Sequence, residues 1–325
     1  MRSLQDIVKK RLAGILRGDR GVQKIASFMK KKGFVGRHKQ LVERCRFLEE
    51  QNRFLLYQVQ RINETMRYQL LGDHTLATSE MLQTRASFDY QWHELPTGVA
   101  MPDDAQFMQH VTSLICQITD LPAAWFPGKR VVDIGCGAGR FTHGLLSLGA
   151  SVTACDQSPW ALQRTAQLCR EFDARLATQQ VNLLEWSAAA DYDLAFCFGV
   201  VHHTGNTYLA VQNAARKVKP GGRLFLMIYG FPEAGSDLEA FVELNTYEAL
   251  RHELRPLSFD EKKQILFERY GAHLGHGWFD AVSPQTNDLL TFWEIFEFLQ
   301  RLGFQNVKRI DGYRNHHVVA ERNRE

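Results

Sequence analysis

The sequence lacks Cys-x-x-Cys pairs and long apolar runs, and no secretory leader is expected from the pattern at its start. Its six cysteines form no Cys-x-x-Cys pair and no Cys/His cluster with zinc spacing, which argues against a disulfide framework or a zinc site. Its apolar runs end well before the roughly 18 residues of a membrane span. A signal peptide has a basic start followed by an apolar stretch and a small-residue cleavage site, and the first residues do not show this order. These absences predict a cytoplasmic protein with free thiols.

Composition and length place the chain among ordinary globular proteins. It has 325 residues, of which 45% are hydrophobic and 23% charged. Such values exclude a disordered or collagen-like chain. The length suits one large domain with an appendage.

The positive charge is concentrated at the start of the chain. Residues 1–40 hold twelve Lys or Arg and only two acidic residues. Within this part, apolar residues of segment 4–17 recur at helical spacing, so residues 1–36 are predicted to form a basic amphipathic helical arm. Such an arm can meet an anionic membrane, a nucleic acid or an acidic protein, or pack on the body of the protein.

Residues 37–70 have the heptad pattern of a coiled coil. Apolar seam residues recur every seven positions across 38–68, and Asn52 occupies a seam position where a buried amide fixes the register of a parallel dimer. The segment is therefore predicted to mediate homodimerisation. Phe47 and Phe54 favour the alternative, a long helix packed within its own subunit, because a two-stranded coil would leave them exposed.

Residues 71–325 alternate strand and helix patterns. Strands are predicted at 131–134, 152–155, 175–181, 192–198, 223–229, 304–310 and 316–321, and helices near 140–148, 158–172, 206–218 and 288–303. This alternation is typical of an α/β, doubly wound, mostly parallel sheet. Segment 231–287 interrupts the pattern and is predicted to be an inserted substrate cap.

The strongest chemical signal is the glycine-rich segment Val-Val-Asp-Ile-Gly-Cys-Gly-Ala-Gly-Arg, residues 131–140. Glycines after a strand let the backbone approach a ligand closely. The third glycine comes one residue too early for a dinucleotide motif, where Arg140 stands instead, and no triphosphate-binding loop is present. A hydride-transferring dehydrogenase is therefore disfavoured.

Asp156 ends the second predicted strand, 19 residues after Gly137. A carboxylate at that point can accept hydrogen bonds from both hydroxyls of a ribose. Taken alone, Asp156 is also compatible with capping the next helix. Its spacing from the glycine segment favours binding of a ligand ribose over capping of the helix.

Together with segments 192–203 and 219–224, these features resemble the class I S-adenosylmethionine-dependent methyltransferases, in particular the branch of ubiquinone/menaquinone biosynthesis and other small-molecule enzymes. The resemblance covers about 85–230 well, 288–322 loosely and 1–70 not at all. It implies a seven-stranded Rossmann-like methyltransferase fold and S-adenosyl-L-methionine as cofactor, without a metal.

The resemblance also implies roles for individual residues. Gly135, Gly137 and Gly139 are expected to line the methionine part of the cofactor, with Asp133 supporting the loop. Asp156 is expected to bind the ribose, and Asn182 and Leu183 to contact the adenine. Phe198 and Gly199 are expected to lie beside the sulfonium. Tyr90, Gln91 and Trp92 belong to an aromatic segment that some relatives fold over the cofactor. Core packing is the alternative for these three.

Methyl transfer to a hydroxyl needs a general base. His202 and His203 follow the fourth strand and Tyr229 ends the fifth, so these three are the catalytic candidates, with helix-start packing or cofactor closure as the alternative for the histidines. In the inserted segment, His276, Trp278 and Asp280 are candidates for substrate contact or for packing of the cap.

The sequence thus predicts in-line methyl transfer to a small-molecule or lipid/sugar-type acceptor, most simply at an oxygen, by a homo-oligomer with peripheral membrane contact. Two other functions stay open. One is an RNA methyltransferase that uses the basic arm, although the base-amine cradle Asn/Asp-Pro-Pro-Tyr/Phe is missing. The other is a non-catalytic scaffold that retains the cofactor fold.

Overall fold

The computed structural model describes residues 43–44, 47–48, 79–95, 98–231, 238–311 and 315–324. The predicted arm 1–36 and most of the predicted coiled coil 37–70 lie outside these residues. Within the latter, Glu43, Arg44, Phe47 and Leu48 are helical, and the side chains of Phe47 and Leu48 are exposed.

Within the described residues, seven strands form one sheet. They are β1 (Arg130–Ile134), β2 (Ser151–Asp156), β3 (Leu176–Gln180), β4 (Tyr192–Phe198), β5 (Val218–Ile228), β6 (Phe304–Arg309) and β7 (His316–Arg322). The spatial order is β3-β2-β1-β4-β5-β7-β6, and β7 alone runs antiparallel to its neighbours β5 and β6. This confirms the predicted Rossmann-like methyltransferase fold.

Helices connect and cover the strands. They are α1 (Ser79–Glu94), α2 (Ala105–Thr119), α3 (Arg140–Ser147), α4 (Pro159–Leu168), α5 (Thr207–Ala215), α6 (Leu238–Leu254), α7 (Phe259–Val282) and α8 (Phe292–Arg301). No helix in the described ranges has both the length and the apolar composition needed to cross a membrane.

Both faces of the sheet are buried because successive strand residues point to opposite sides. Val131 and Phe225 pack on one face with residues of α2 and α3. Their neighbours Val132 and Leu224 pack on the other face with residues of α5 and α8. The apolar core therefore fixes the sheet between two helical layers and leaves its carboxyl edge free for a site.

The segment predicted to be a cap holds α6 and α7. A separate apolar cluster joins the two helices to Leu95, just after α1, through Leu250, Leu266 and Phe279. The three elements are thus held together by apolar burial.

Helix α8 starts later than its apolar pattern predicts. Leu290 is extended, and its amide donates to the Tyr229 carbonyl at 3.1 Å. Thr291 then caps the helix in a reciprocal capping box with Glu294. Because Leu290 pairs with Tyr229, just beyond the end of β5, the residues near 288 are not helical.

Candidate active site

A cavity opens at the carboxyl edge of the sheet, where β1, β2, β4 and β5 end. Among the predicted site residues, those that line it are Trp92, Asp133, Gly135, Gly137, Asp156, Asn182, Leu183, Phe198, Gly199, His203 and Tyr229. Parallel strands bring these distant segments to one edge, because their carboxyl ends coincide.

The glycine loop, residues 135–139, forms the floor of the cavity between β1 and α3. Gly135 has φ of 71°, and a Cβ there would lie 2.2 Å from Cγ2 of Val200. Gly137 has φ of 54°, and its Cβ would lie 2.8 Å from the Trp92 ring. Both positions therefore require glycine, for backbone conformation and for space.

Asp156 joins the end of β2 to this loop. Its Oδ2 accepts a hydrogen bond from the amide of Gly137 at 3.0 Å, and its Oδ1 accepts one from the amide of Ser158 at 2.9 Å. Each carboxylate oxygen keeps a further lone pair for a ligand. Burial raises the pKa of Asp156 to about 6, against the lowering effect of these two amides.

Asp133 supports the loop from below. Its Oδ2 accepts a hydrogen bond from the Thr142 hydroxyl at 2.6 Å, and its side chain is almost fully buried. Burial raises the pKa of Asp133 to about 7. The hydroxyl of α3 therefore fixes the end of β1 relative to the helix that follows the loop.

Asn182 and Leu183 form the wall beyond β3. The Asn182 amide group donates to Glu185 Oε1 at 2.7 Å, and its Oδ1 accepts from the amide of Leu184 at 3.1 Å. These bonds close a turn that holds Leu183 in the cavity wall. One lone pair of Asn182 Oδ1 remains for a ligand donor.

Four of the predicted cofactor-binding and catalytic residues lie outside the cavity wall, as do His276 and Trp278 of the inserted segment. Gly139 packs on α4, where its Cβ would lie 2.9 Å from Thr165 Cα. Tyr90 stacks on Phe279 and donates a hydrogen bond to Asp260 at 2.6 Å. Gln91 is fully buried, as is His202, described below.

The helical period of α1 explains the placement of Tyr90 and Gln91. The α1 residues that line the cavity are Met81, Leu82, Arg85, Phe88 and Trp92. They follow the spacing of one helix face, whereas Tyr90 and Gln91 point elsewhere. Helical spacing over 79–94 places Arg85 and Phe88 on the same face as Trp92, and this spacing could have identified both residues.

The two histidines differ in environment. His202 stacks on Tyr229 with ring centroids 4.1 Å apart, and burial lowers its pKa well below the usual value. His203 lines the cavity, and its Nδ1 lies 2.9 Å from the carbonyl oxygen of Thr286. A carbonyl only accepts, so Nδ1 carries the proton and Nε2 of neutral His203 keeps its lone pair. Burial lowers the pKa of His203 to about 4.

Arg140 and Asp280 also line the cavity. Arg140 begins α3, and its Nη1 donates to the carbonyl of Ala100 at 2.7 Å. Asp280, in α7, accepts a hydrogen bond from the Tyr229 hydroxyl at 3.3 Å. Arg140 carried no role in the sequence interpretation, since its position after the glycines only served to exclude a dinucleotide motif.

Comparisons with known proteins match the central part of the chain to methyltransferases. The family described as "Methyltransferase domain" matches residues 132–224. The ubiquinone biosynthesis O-methyltransferase of Alkalilimnicola ehrlichii is 33% identical over 99 residues, and the mitochondrial enzyme of that name from Schizosaccharomyces pombe is 35% identical over 104. These alignments span 30% and 31% of this chain, and only 40% and 38% of the two enzymes.

Solved structures with a similar fold include two methyltransferases. Magnesium protoporphyrin IX methyltransferase of Synechocystis PCC 6803, with bound SAM, has a TM-score of 0.48 and 16% identity, covering 77% of this chain and 100% of that one. The 1,6-didemethyltoxoflavin-N1-methyltransferase of Burkholderia thailandensis has a TM-score of 0.47 and 17% identity, covering 77% and 92%. The matched segment is thus similar to a methyltransferase domain, and the strand order and the glycine loop agree with the class I S-adenosylmethionine-dependent methyltransferases that the sequence resembles.

Proposed function

We propose that this protein transfers the methyl group of S-adenosylmethionine to an oxygen of a small-molecule acceptor. The observation that carries the proposal is the position of Asp156, one strand away from the glycine loop and hydrogen-bonded to it through Gly137. A carboxylate held there offers acceptors for two neighbouring ribose hydroxyls.

The cavity fits the cofactor in other respects. Gly135 and Gly137 leave backbone where any side chain would collide. Trp92 closes over the loop from α1, and Asn182 and Leu183 line the wall beyond β3. In this proposal Asp133 supports the loop, and Phe198 and Gly199 border the place of transfer. Gly139, Tyr90, Gln91 and His202 have no direct role.

The chemistry on the protein side is that of a general base. The bound cofactor supplies a methyl group on a sulfonium, which leaves as a neutral thioether when the methyl moves. His203 Nε2 takes the proton that the acceptor hydroxyl loses, and Thr286 fixes the required tautomer. Tyr229 holds the acceptor together with Asp280. Proximity and exclusion of water supply the remaining acceleration.

The resemblance to ubiquinone biosynthesis O-methyltransferases supports oxygen as the acceptor atom. The test is transfer of tritium from methyl-labelled S-adenosylmethionine into metabolites, RNA and protein of a cell extract, separated before counting. We expect label in a small molecule 14 daltons (one CH₂) heavier than its precursor. Label in RNA alone would instead support the alternative based on the basic arm, and saturable cofactor binding without label would support the scaffold.

His203→Gln is expected to reduce turnover into the metabolite fraction by about 10²-fold or more, because the amide of the new side chain cannot take the hydroxyl proton. Binding of S-adenosylhomocysteine stays unchanged. Because the pKa of His203 is lowered to about 4, its base form persists above that pH. Protonation of His203 is therefore not expected to lower the wild-type rate at saturating cofactor between pH 5 and 8.

The matched control is His110→Gln, at an exposed histidine of α2. Both variants are compared by labelled-methyl transfer at saturating cofactor. Wild-type turnover in the His203 variant would remove this residue from the mechanism.

We further propose that the enzyme works as a cytoplasmic homodimer joined by residues 38–68, with the basic arm 1–36 on an anionic membrane. Leu48, a seam residue of the heptad pattern, is 53% exposed on the single chain. If the acceptor is embedded in a membrane, binding of the arm to the membrane surface brings the enzyme to its substrate.

Deleting residues 1–36 is expected to lower partition onto vesicles containing phosphatidylserine by tenfold or more, since about 1 kcal/mol is lost for each basic residue near the surface. Affinity for S-adenosylhomocysteine is expected to stay constant. Sedimentation with vesicles, with purely phosphatidylcholine vesicles as the control, measures the effect. Equal partition of both chains would refute membrane contact by the arm.

A further inference from the structure

A polar interface joins helix α1 to the loop that follows α7. It consists of Gln83, Thr84 and Ser87 on α1 and of residues 283–286 in the loop. The Ser87 hydroxyl donates to Ser283 Oγ at 2.8 Å, and Gln83 Nε2 donates to the carbonyl of Ser283 at 3.0 Å. Ser87 is fully buried, so the hydrogen bond between the two serines is not weakened by competing water.

Thr84 lies at the centre of this interface. Its Oγ1 accepts hydrogen bonds from the amide of Gln285 at 3.0 Å and from the amide of Thr286 at 2.8 Å. A hydroxyl oxygen has two lone pairs, and both are used here. The Gln285 amide also donates to Gln83 Oε1 at 3.0 Å, whereas the Thr286 amide has Thr84 as its partner. Thr84 is 2% exposed, so loss of its oxygen would leave the Thr286 amide without an acceptor in a buried place.

The loop residue that Thr84 holds is the one that orients His203. The carbonyl oxygen of Thr286 lies 2.9 Å from Nδ1 of His203. Only two backbone rotations separate the amide of a residue from its carbonyl, so a bond that fixes the amide limits the direction of the carbonyl. The chain is fixed again at Asp288, whose amide donates to the carbonyl of His202 at 2.8 Å.

Helix α1 also contacts the ring of His203 directly. Phe88, one helical turn after Thr84, packs edge-on against the ring with centroids 5.0 Å apart. Residues four positions apart lie on the same side of a helix. Helix α1 therefore holds the ring through Phe88 and the hydrogen bond of Nδ1 through Thr84 and Thr286.

The other end of α1 is anchored to two further elements. Tyr90 stacks on Phe279 of α7 and donates to Asp260 at 2.6 Å. The ring of Trp92 lies against Gly137 of the glycine loop. Because both contacts restrict movement of the helix, α1 offers a fixed support for the loop that carries Thr286.

Helix α6 holds the start of the same loop. Arg251 donates to the carbonyl of Ala281 at 2.6 Å and to the carbonyl of Pro284 at 2.9 Å. These two bonds fix the end of α7 and the first residues after it. The amide of Thr286, further along the loop, is held by Thr84.

We propose that Thr84 is a positioning residue for the methyl transfer. It holds Thr286 so that the carbonyl of Thr286 keeps the proton of neutral His203 on Nδ1 and leaves Nε2 free to act as the base. This inference rests on the proposed function, in which His203 takes the proton of the acceptor. It adds a residue that lies before the segment 132–224 matched to a methyltransferase domain.

The first test is the rate of Thr84→Val, which keeps the size and branching of the side chain but removes the acceptor oxygen. We expect turnover of labelled methyl into the metabolite fraction of the cell extract to fall about fivefold or more at saturating cofactor, the factor of one ordinary hydrogen bond. KM for S-adenosylmethionine is expected to stay the same. Thr84→Ser returns the oxygen and is expected to recover most of the rate.

The second test reads the position of the proton on His203, which a general loss of stability does not change. The full-length chain is labelled with ¹⁵N in its twelve histidine rings, and His203→Gln identifies the signals of this ring in the NMR spectrum. At pH 7 the ring is neutral, because burial lowers its pKa to about 4. We expect the proton on Nδ1 in the wild type and in Thr84→Ser, and a second population with the proton on Nε2 in Thr84→Val.

Thr119→Val is the matched control. Thr119 is a buried threonine of α2, and its hydroxyl donates to the carbonyl of Ile115 within the same helix at 2.6 Å. We expect wild-type turnover and unchanged His203 signals in this variant. Urea unfolding shows that each variant is folded. If Thr84→Val does not fold, Thr84→Cys replaces it, because a thiol keeps the size of the side chain and is only a weak acceptor.

Three results would overturn the inference and leave the proposed function intact. They are wild-type turnover in Thr84→Val, a lower rate with the proton still on Nδ1 alone, and no recovery of the rate in Thr84→Ser. Wild-type turnover in His203→Gln would remove the proposed base and this inference together. Absence of S-adenosylhomocysteine binding to the wild type would overturn the whole proposed function.

Discussion

Asp156→Asn is expected to weaken binding of S-adenosylhomocysteine about a hundredfold or more. The substitution keeps the shape of the side chain but removes its charge and places an amide donor beside the amides of Gly137 and Ser158 or the ribose. A hydrogen bond to a charged group contributes about 1.5–3 kcal/mol, and two such bonds to the ribose are at stake. Isothermal titration of the full-length chain measures the change.

The control is Asp173→Asn, at an exposed carboxylate in the turn after α4. Its affinity should equal that of the wild type. Because the pKa of Asp156 is raised to about 6, wild-type affinity should also fall as the pH drops below that value and protonation removes an acceptor. Affinity of Asp156→Asn within threefold of the wild type would refute the ribose role.

Gly135→Ala is expected to lower both stability and cofactor affinity. The new Cβ would lie 2.2 Å from Cγ2 of Val200, and φ of 71° disfavours any side chain. Overpacking costs about 1–3 kcal/mol, and the left-handed conformation adds about 1–2 kcal/mol. We expect the free energy of unfolding in urea to drop by roughly 2–5 kcal/mol, and S-adenosylhomocysteine affinity to drop at least about tenfold as the loop shifts.

Two further variants separate the collision with Val200 from the cost of the left-handed backbone conformation. Gly128→Ala has a similar φ of 75° but no atom within 4 Å of the new Cβ, so it reports the conformational cost alone. Val200→Ala, combined with Gly135→Ala, removes the colliding methyl groups and should recover part of the stability. If Gly135→Ala were no worse than Gly128→Ala, the close approach of the loop to Val200 would not matter.

The layout of the sheet could be predicted from the sequence because each strand–helix unit is local. A short apolar strand, a turn and an amphipathic helix follow each other within about 30 residues, and parallel pairing then brings the strand ends together. The glycine loop and Asp156 were predictable for the same reason, since each directly follows its own strand. The predicted arm and the roles of individual residues stay predictions.

The remainder of the site depends on contacts between distant segments. Arg140 and Asp280 are 140 residues apart in sequence, and no local pattern brings them to one cavity. The choice between His202 and His203 depended on Thr286, whose carbonyl orients the second ring. The start of α8 likewise depended on pairing of Leu290 with Tyr229. Local periodicity contains none of this information.

A paired titration distinguishes a site for an adenosyl amino acid from a dinucleotide site. The full-length protein is titrated in parallel with S-adenosylhomocysteine and with NADH, and binding is measured by calorimetry. We expect saturable binding of one S-adenosylhomocysteine per chain and no heat from NADH, because the glycine spacing after β1 and the carboxylate after β2 fit an adenosyl amino acid. Saturable binding of NADH, with none of S-adenosylhomocysteine, would contradict it.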